Sequence, residues 1–319
     1  MVSIFIPTYN SSSSIGQTLD SVINQTYTDL EILCVDDSST DDTLDIIHKY
    51  AERDKRVNVF CKPNEGSVPF SWKYIFPKIS GEFTLYMSHD DLLLPDTVSK
   101  LLDDQKKHNA DCTIPVVRFF GKDISTPEVS YEKINRQYSS RVGSSITGLQ
   151  AFVLMLDYSI PGFGLWRTEL IRKLGIHTTS FNSDEFAQRL WIKKCRTVTF
   201  SSAVFGYYQT ESSIVKGFKP YHLYSLDTNL RLFSEMVADI KNIPKDKAKF
   251  FRYKFYLSLL YLARIFFHNL KEYDLKMQQD IMELIEQSRK TYGILPLPET
   301  IRESFAFICS LSKHTFYLY

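Results

Sequence analysis

From the N-terminus to Tyr208, apolar runs of strand length alternate with stretches whose apolar residues recur three and four apart. Val2-Ser3-Ile4-Phe5-Ile6 reads as a strand that stops at the turn-rich Pro7-Thr8-Tyr9-Asn10. Ser11 to Ser14 offer helix caps, and Ile15, Leu19, Val22 and Ile23 then follow at helical spacing. Leu30 to Val35 is a second strand, apolar enough to be buried on both faces. Asp36 to Thr43 closes it and opens a helix through Leu44, Ile47 and Tyr50. A third strand over Val57 to Phe60 leads to the turn Asn64-Glu65-Gly66, a helix around Trp72 to Ile79, and a fourth strand over 83–87.

Beyond Pro95 the pattern predicts a helix through Val98, Leu101 and Leu102, a strand over 112–120, and a mobile polar surface segment over 121–145. Helices from Leu149 to Leu156 and through Leu170 and Ile171 follow, the latter stopping at Gly175. Ser183 opens an amphipathic helix, and Thr197 to Phe200 and Val204 to Tyr208 are two further strand-like runs. Such alternation with short connections predicts an α/β fold, a mostly parallel sheet with helices on both faces. Past Gly217 only long, aromatic, lysine-rich helical patterns remain. The expected division is a domain over 1–218 and a helical C-terminal extension over 219–319.

Composition narrows the function classes. A net charge of +1 excludes a nucleic-acid binder whose affinity rests on neutralising phosphates. Five scattered cysteines without a CxxC pair form neither a disulfide framework nor a zinc site, and suit reduced thiols in the cytoplasm. The N-terminus lacks a basic, then apolar leader, and the longest uncharged apolar run, Phe255 to Ala263, is too short to span a bilayer. The expectation is a cytoplasmic protein, soluble or peripheral at the inner face of the membrane.

The chemistry concentrates in pairs of carboxylates. Asp90-Asp91 follows the fourth strand, and Asp36-Asp37 the second, where sheets of this class bind ligands. Adjacent carboxylates repel unless a cation or a set of donors offsets them, and a hard divalent cation bridging to phosphate oxygens is a natural partner. Asp184-Glu185 is a third pair, at the start of a helix. Helix capping is the plain alternative for each pair.

Four pieces in this order resemble family 2 glycosyltransferases of the GT-A fold: Val2 to Asn10, Gln25 through Asp37 to Asp41, Asn64-Glu65-Gly66, and Gly81-Glu82-Phe83 through Asp90-Asp91 to Pro95. The resemblance covers roughly the first 105 residues, weakens to about 217, and does not reach the last hundred. It implies an inverting transferase that moves a sugar from a nucleotide-diphospho-sugar, a UDP-sugar above all, to a hydroxyl of a glycan or lipid-linked acceptor in bacterial surface polysaccharide synthesis. It further implies that Pro7, Thr8 and Tyr9 line the nucleobase, that Asp37 accepts a hydrogen bond from the uracil edge, and that Gly66 lends its backbone. Asp90 would face the ribose or metal, and Asp91 would ligate Mn²⁺ or Mg²⁺. Ser88 stands where the family often has a further Asp, and Thr210 where many members carry a metal-ligating His, so no third protein ligand is expected.

Asp184-Glu185 resembles the family's Glu-Asp pair, one of which takes the acceptor proton. Gapless register gives Glu185 that role, and Asp184 stays a candidate. Trp166 and Arg167 are candidates for holding the acceptor, with core packing the plainer role for Trp166. Two other classes share parts of this pattern. A sugar nucleotidyltransferase would open with a Gly-rich loop in place of Pro7-Thr8-Tyr9-Asn10, and a silent nucleotide-binding scaffold would fit Ser88 and Thr210 but not the retained carboxylates. Phe250 to His268 combines basic and aromatic residues, which suits packing onto the catalytic domain, a homo-oligomer interface or a peripheral membrane contact.

Overall fold

The computed structural model describes residues 1–65, 68–121, 139–208 and 218–293. Gly66, Thr210 and most of the segment expected to be mobile lie outside them. The described chain forms two compact units: one over Met1–Thr178 and the residues from Ser183 to Tyr208, the other comprising Thr179–Asn182 and the described residues from 218 on.

The first unit carries one sheet. Its strands are β1 (Val2–Thr8), β2 (Leu30–Asp36), β3 (Val57–Cys61), β4 (Phe83–Tyr86), β5 (Leu92–Leu93), β6 (Cys112–Phe120), β7 (Ser145–Ile146), β8 (Leu165–Arg167) and β9 (Val198–Tyr208). The helices are α1 (Ile15–Ile23), α2 (Thr43–Arg53), α3 (Val68–Ile75), α4 (Thr97–Lys107), α5 (Gly148–Met155), α6 (Thr168–Leu174) and α7 (Ser183–Lys194). The strand order is β3-β2-β1-β4-β8-β6-β9-β5, with β7 on β9. β3, β2, β1 and β4 run parallel, as do β6 and β9, whereas β8, β5 and β7 pair antiparallel. The sheet is thus mixed, with its parallel half where the βα alternation is strictest.

Every residue of β1 is buried, as a central strand covered on both faces requires. The two runs expected around 197–208 are one strand. Its pairing with β6 shifts register between Ile114 and Val116, at Pro115, which has no N–H to donate. The end of the supposed mobile segment is held: Gly143 N–H donates to Phe200 O (2.9 Å), Phe200 N–H to Ser144 O (3.1 Å), and β7 then pairs with β9.

All three tryptophans of the chain meet in one cluster. Trp72 of α3 stacks on Trp191 of α7, with centroids 4.9 Å apart, and Trp166 of β8 meets Trp191 edge-on at 5.5 Å. Trp72 also packs edge-on against Tyr86 at the end of β4 (4.7 Å) and against Phe5 of β1 (6.5 Å). The cluster joins strand β4 to helix α7, far apart in sequence.

In the second unit, α8 (Ser225–Ala238), α9 (Lys245–His268) and α10 (Leu275–Tyr292) surround a core that includes Leu226, Leu259, Phe266 and Ile281. In α9, Phe251, Phe255 and Phe266 are buried, whereas Phe250, Tyr253 and Phe267 are exposed. Thr179–Asn182 belongs here: Ser180 N–H donates to Asp227 Oδ2 (2.8 Å), and Arg231 Nε to Asp227 Oδ1 (2.7 Å). Among the described residues no helix is long and apolar enough to cross a membrane.

Trp72 is 1% exposed. Trp72→Ala is expected to cost the first unit about 3–5 kcal/mol, measured by urea unfolding followed by far-UV circular dichroism. A cost below about 1 kcal/mol would mean that the cluster does not hold the unit together.

Candidate active site

Parallel pairing brings the ends of β1, β2 and β4 to one edge of the sheet: Thr8 lies opposite Asp36, and Phe5 opposite Tyr86. The three loops that leave these ends carry most of the expected site residues.

The first two loops are sewn together. Thr40 N–H donates to Asn10 Oδ1 (2.8 Å), Asn10 N–H to Ser39 Oγ (2.9 Å), and Ser11 N–H to Thr43 Oγ1 (2.7 Å). Asn10 and Ser38 both adopt left-handed backbone, with φ of 46° and 59°. Pro7 and Thr8 are buried in the strand end, while Tyr9 is 47% exposed. Neither member of Asp36-Asp37 caps α2, whose N-cap is Asp42. Asp36 is turned inward, accepting from Ser39 N–H (2.9 Å), Ser39 Oγ (2.5 Å) and Thr8 Oγ1 (3.3 Å). Asp37 is 8% exposed, and its Oδ1 pairs with Lys62 Nζ at 2.5 Å. Sequence reasoning missed Lys62. A lysine beside a Pro and an Asn in a loop carries no signal of burial, and only the pairing of β2 with β3 puts it beside Asp37. Burial alone would lower its ammonium pKa, but hydrogen bonds and charge from Asp37 and Glu65 outweigh that and raise it. Lys73, a weak candidate for phosphate, lies in α3 with its Nζ 5.6 Å from the Phe70 ring centroid. It lines a pocket shared with Cys61, Lys62, Pro63, Glu65, Phe70 and Tyr74.

Helix α1 holds the third loop. Thr18 Oγ1 donates toward both His89 O (2.7 Å) and Asp91 O (3.0 Å), and Leu93 N–H donates to Ser21 Oγ (3.3 Å). Gln25 donates to Leu94 O (2.7 Å) and accepts from Val98 N–H (3.0 Å). His89 bonds Ser14 Oγ through Nδ1 (3.2 Å), a packing role as its place on the strand suggested.

Within this loop the two carboxylates differ sharply. Asp91 is 1% exposed, and its oxygens accept from Ser88 N–H (3.1 Å) and Tyr208 N–H (3.3 Å). Burial, then repulsion from Asp90, raises its carboxyl well above the usual range against those two amides. Asp90 is half-buried and bonds no other side chain among the described residues. Burial also lifts its carboxyl, with the His89 charge and its own backbone N–H opposing. Asp90 has no side-chain partner among the described residues to compete with a cation, whereas each Asp91 oxygen already accepts one amide proton and keeps one lone pair. No group of three or more potential ligands converges among the described residues.

The last pair opens α7. Glu185 Oε1 pairs with the buried Arg189 Nη1 (2.5 Å) and accepts from Tyr158 OH (2.6 Å), while Arg189 Nη2 donates to Met155 O (3.0 Å). Asp184 is half-buried and has no such ion pair among the described residues. Burial, then the neighbouring Glu185 charge, raises its carboxyl, with the first backbone N–H groups of the helix and Arg189 pulling it back. The hydroxyl of Tyr86, at the end of β4, is raised well above its usual pKa by burial, then by the charge of Asp184, with Asp91 adding to it. Trp166 and Arg167, the other candidates for holding the acceptor, are taken up by structural contacts. Arg167 pairs with Phe83 at the other end of β4 and contacts Glu82 (3.4 Å) and Asp111 (3.7 Å), and Trp166 is 2% exposed in the tryptophan cluster.

Comparison with known proteins places this geometry. Over 143 residues the chain is 36% identical to a chondroitin synthase of Pasteurella multocida (strain Pm70), covering 42% of this chain and 15% of that protein. Over 163 residues it is 31% identical to the poly(ribitol-phosphate) beta-N-acetylglucosaminyltransferase TarP of Staphylococcus aureus (strain N315), covering 50% of this chain and 49% of that protein. The chain therefore spans half or less of the length of these relatives. Its fold matches the crystal structure of S. aureus TarS 1–349 in complex with UDP-GlcNAc, with a TM-score of 0.63 at 17% identity over 95% of this chain and 83% of that one. This shows the GT-A fold expected from the sequence. A family model described as Glycosyl transferase family 2 matches residues 3–171, more than half of the 319 residues, and the chain belongs to that family.

Proposed function

We propose that this glycosyltransferase moves a sugar from a UDP-sugar to a hydroxyl of a glycan or lipid-linked acceptor in surface polysaccharide synthesis. Residues 1–218 carry the chemistry, and the described residues beyond them form a helical extension. The observation that carries this reading is the tryptophan cluster that packs α7, which opens with Ser183-Asp184-Glu185, against Tyr86 at the end of β4, the strand that leads into the Asp90-Asp91 loop. The relatives that make or modify bacterial glycans, and the UDP-GlcNAc bound to TarS, support the substrate class.

The residues divide the work as follows. Pro7, Thr8 and Tyr9 line the nucleobase, with Asp37 accepting from its edge and Gly66 lending its backbone. Asp90 faces the diphosphate and ribose and is the first candidate to hold Mn²⁺ or Mg²⁺, with Asp91, whose amide bonds also hold the loop's shape, the second. A bound divalent cation offsets the charge of the departing diphosphate. Asp184 takes the proton of the acceptor hydroxyl as its oxygen bonds to the anomeric carbon and the bond to the diphosphate breaks. This is one displacement with inversion, and it releases UDP. Glu185 is engaged by Arg189 and Tyr158, so it orients the first turn of α7 and leaves proton transfer to Asp184.

Three measurements check these roles. Asp184→Asn is expected to lower kcat for transfer by roughly 10²–10⁴-fold with UDP binding unchanged, whereas Glu185→Gln keeps transfer in the same assay. The reverse ranking assigns the base to Glu185. Because Asp184 must be ionised to accept a proton and its pKa is raised, activity should fall on acidification through a pH above the ordinary carboxylate range. An acid limb of the kcat profile at the usual aspartate value would overturn that. For the cation, Asp90→Asn should raise the Mn²⁺ concentration needed for half-maximal transfer while the thermal midpoint holds. Asp91→Asn should lower the midpoint, because it weakens two buried hydrogen bonds that anchor the loop.

A further inference from the structure

We propose that Lys62 sets which nucleobase this chain accepts, by locking one oxygen of Asp37 so that a single fixed acceptor meets the base. The inference rests on the reading that Asp37 faces the base of the donor, and extends it to a residue that does not itself touch the donor.

Lys62 follows edge strand β3 with a side chain only 3% exposed. An ammonium has three protons, and here each has an acceptor: Asp37 Oδ1 at 2.5 Å, Pro63 O at 2.7 Å and Glu65 Oε2 at 2.9 Å. No proton is left for a phosphate, so the plain role of a lysine near a nucleotide is closed to it. Its backbone is equally fixed, since Lys62 N–H donates to Asp36 O (3.0 Å) and Ser38 Oγ to Lys62 O (2.8 Å). Asp37 is held from its own side by its N–H on Thr8 O (2.9 Å). Its carboxylate can neither swing nor turn over, and Oδ2 has no partner among the described residues. Burying an ammonium is costly unless it is paired, and this pairing leaves one acceptor at a defined place.

A single ionised oxygen discriminates among bases by chemistry. The N3–H of uracil is a donor and meets it with a charge-assisted hydrogen bond. Cytosine has an unprotonated N3 at that place, and its lone pair would face the carboxylate. Without the ammonium, the carboxylate is free to rotate and loses the contact that fixes its acceptor in place. Affinity for uracil and discrimination against cytosine should then fall together. Lys62 is thus a positioning residue for Asp37.

The test is calorimetric titration of the whole chain with UDP and with CDP in Mn²⁺ buffer, for the unaltered protein, Lys62→Met, Lys62→Arg and Asp37→Asn, each checked for fold by far-UV circular dichroism. The unaltered protein should favour UDP. Lys62→Met should weaken UDP by about tenfold, the scale of one charged hydrogen bond, and narrow the ratio of UDP to CDP affinity, while Lys62→Arg restores both. If Asp37→Asn weakens UDP but Lys62→Met changes neither UDP affinity nor the ratio, Lys62 has no such role. Equal loss of UDP and CDP in Lys62→Met, with the ratio kept, marks a merely structural lysine and also overturns the proposal. If Asp37→Asn binds UDP as tightly as the unaltered protein, the reading of Asp37 itself fails, and the inference with it.

Discussion

The contact on which the site depends is the stacking of Trp72 on Trp191. Trp72 belongs to a helix early in the chain and touches Phe5 and Tyr86 on the central strands, whereas Trp191 lies two turns into the helix that begins at Ser183. Large flat side chains bury much apolar area and tolerate few relative orientations. Fixing this one pair therefore fixes α7 against the end of β4. Asp184 and Asp91 both raise the pKa of the Tyr86 hydroxyl at that strand end. The parallel register of β2, β1 and β4 does the same for the nucleotide side, since it delivers three strand ends to one edge.

A common rule runs through the three acidic pairs. In each, one carboxylate is held by internal bonds, and the other keeps an oxygen without such a bond among the described residues. Asp36 is consumed by Ser39 and Thr8, Asp91 by the amides of Ser88 and Tyr208, and Glu185 by Arg189 and Tyr158. Asp37 keeps one oxygen open, and Asp90 and Asp184 lack ion pairs among the described residues. Two adjacent like charges cannot both be stripped of water without donors for each. Satisfying one internally makes the loop rigid and lets the other stay open. For the two pairs at strand ends, the capping roles suggested in sequence are replaced by these bonds, because tight turns there offer inward-facing amides before the next helix begins, whereas Asp184 still meets the first backbone N–H groups of α7.

The polar residues of α1 have a related task. Thr18, Ser21 and Gln25 read in sequence as the polar face of an amphipathic helix. In the fold they satisfy the backbone of the loop from His89 to Val98, and Thr18 alone serves two carbonyls. Leu93 and Val98 anchor this segment in the core, and hydrogen bonds from the neighbouring helix and the turn after it satisfy the backbone between them.

Local patterns were enough to place β1, β2, β4, β6 and the helices between them, because apolar periodicity reflects which faces must be buried. The acidic pairs at strand ends were likewise legible, since charge at the carboxyl edge of a parallel sheet has few other uses. The choice within each pair was not, because it turns on partners remote in sequence: Tyr208 for Asp91, Arg189 and Tyr158 for Glu185, Lys62 for Asp37. The joining of two expected strands into β9 and the placing of Arg167 at the far end of β4 were also outside local reach, since both follow from strand pairing. Sequence by itself determined the alternation, the family's marks and the positions of the carboxylates. Only the tertiary structure decided which of them stay open, because burial and hydrogen-bond supply are properties of surroundings that fold into place from distant parts of the chain.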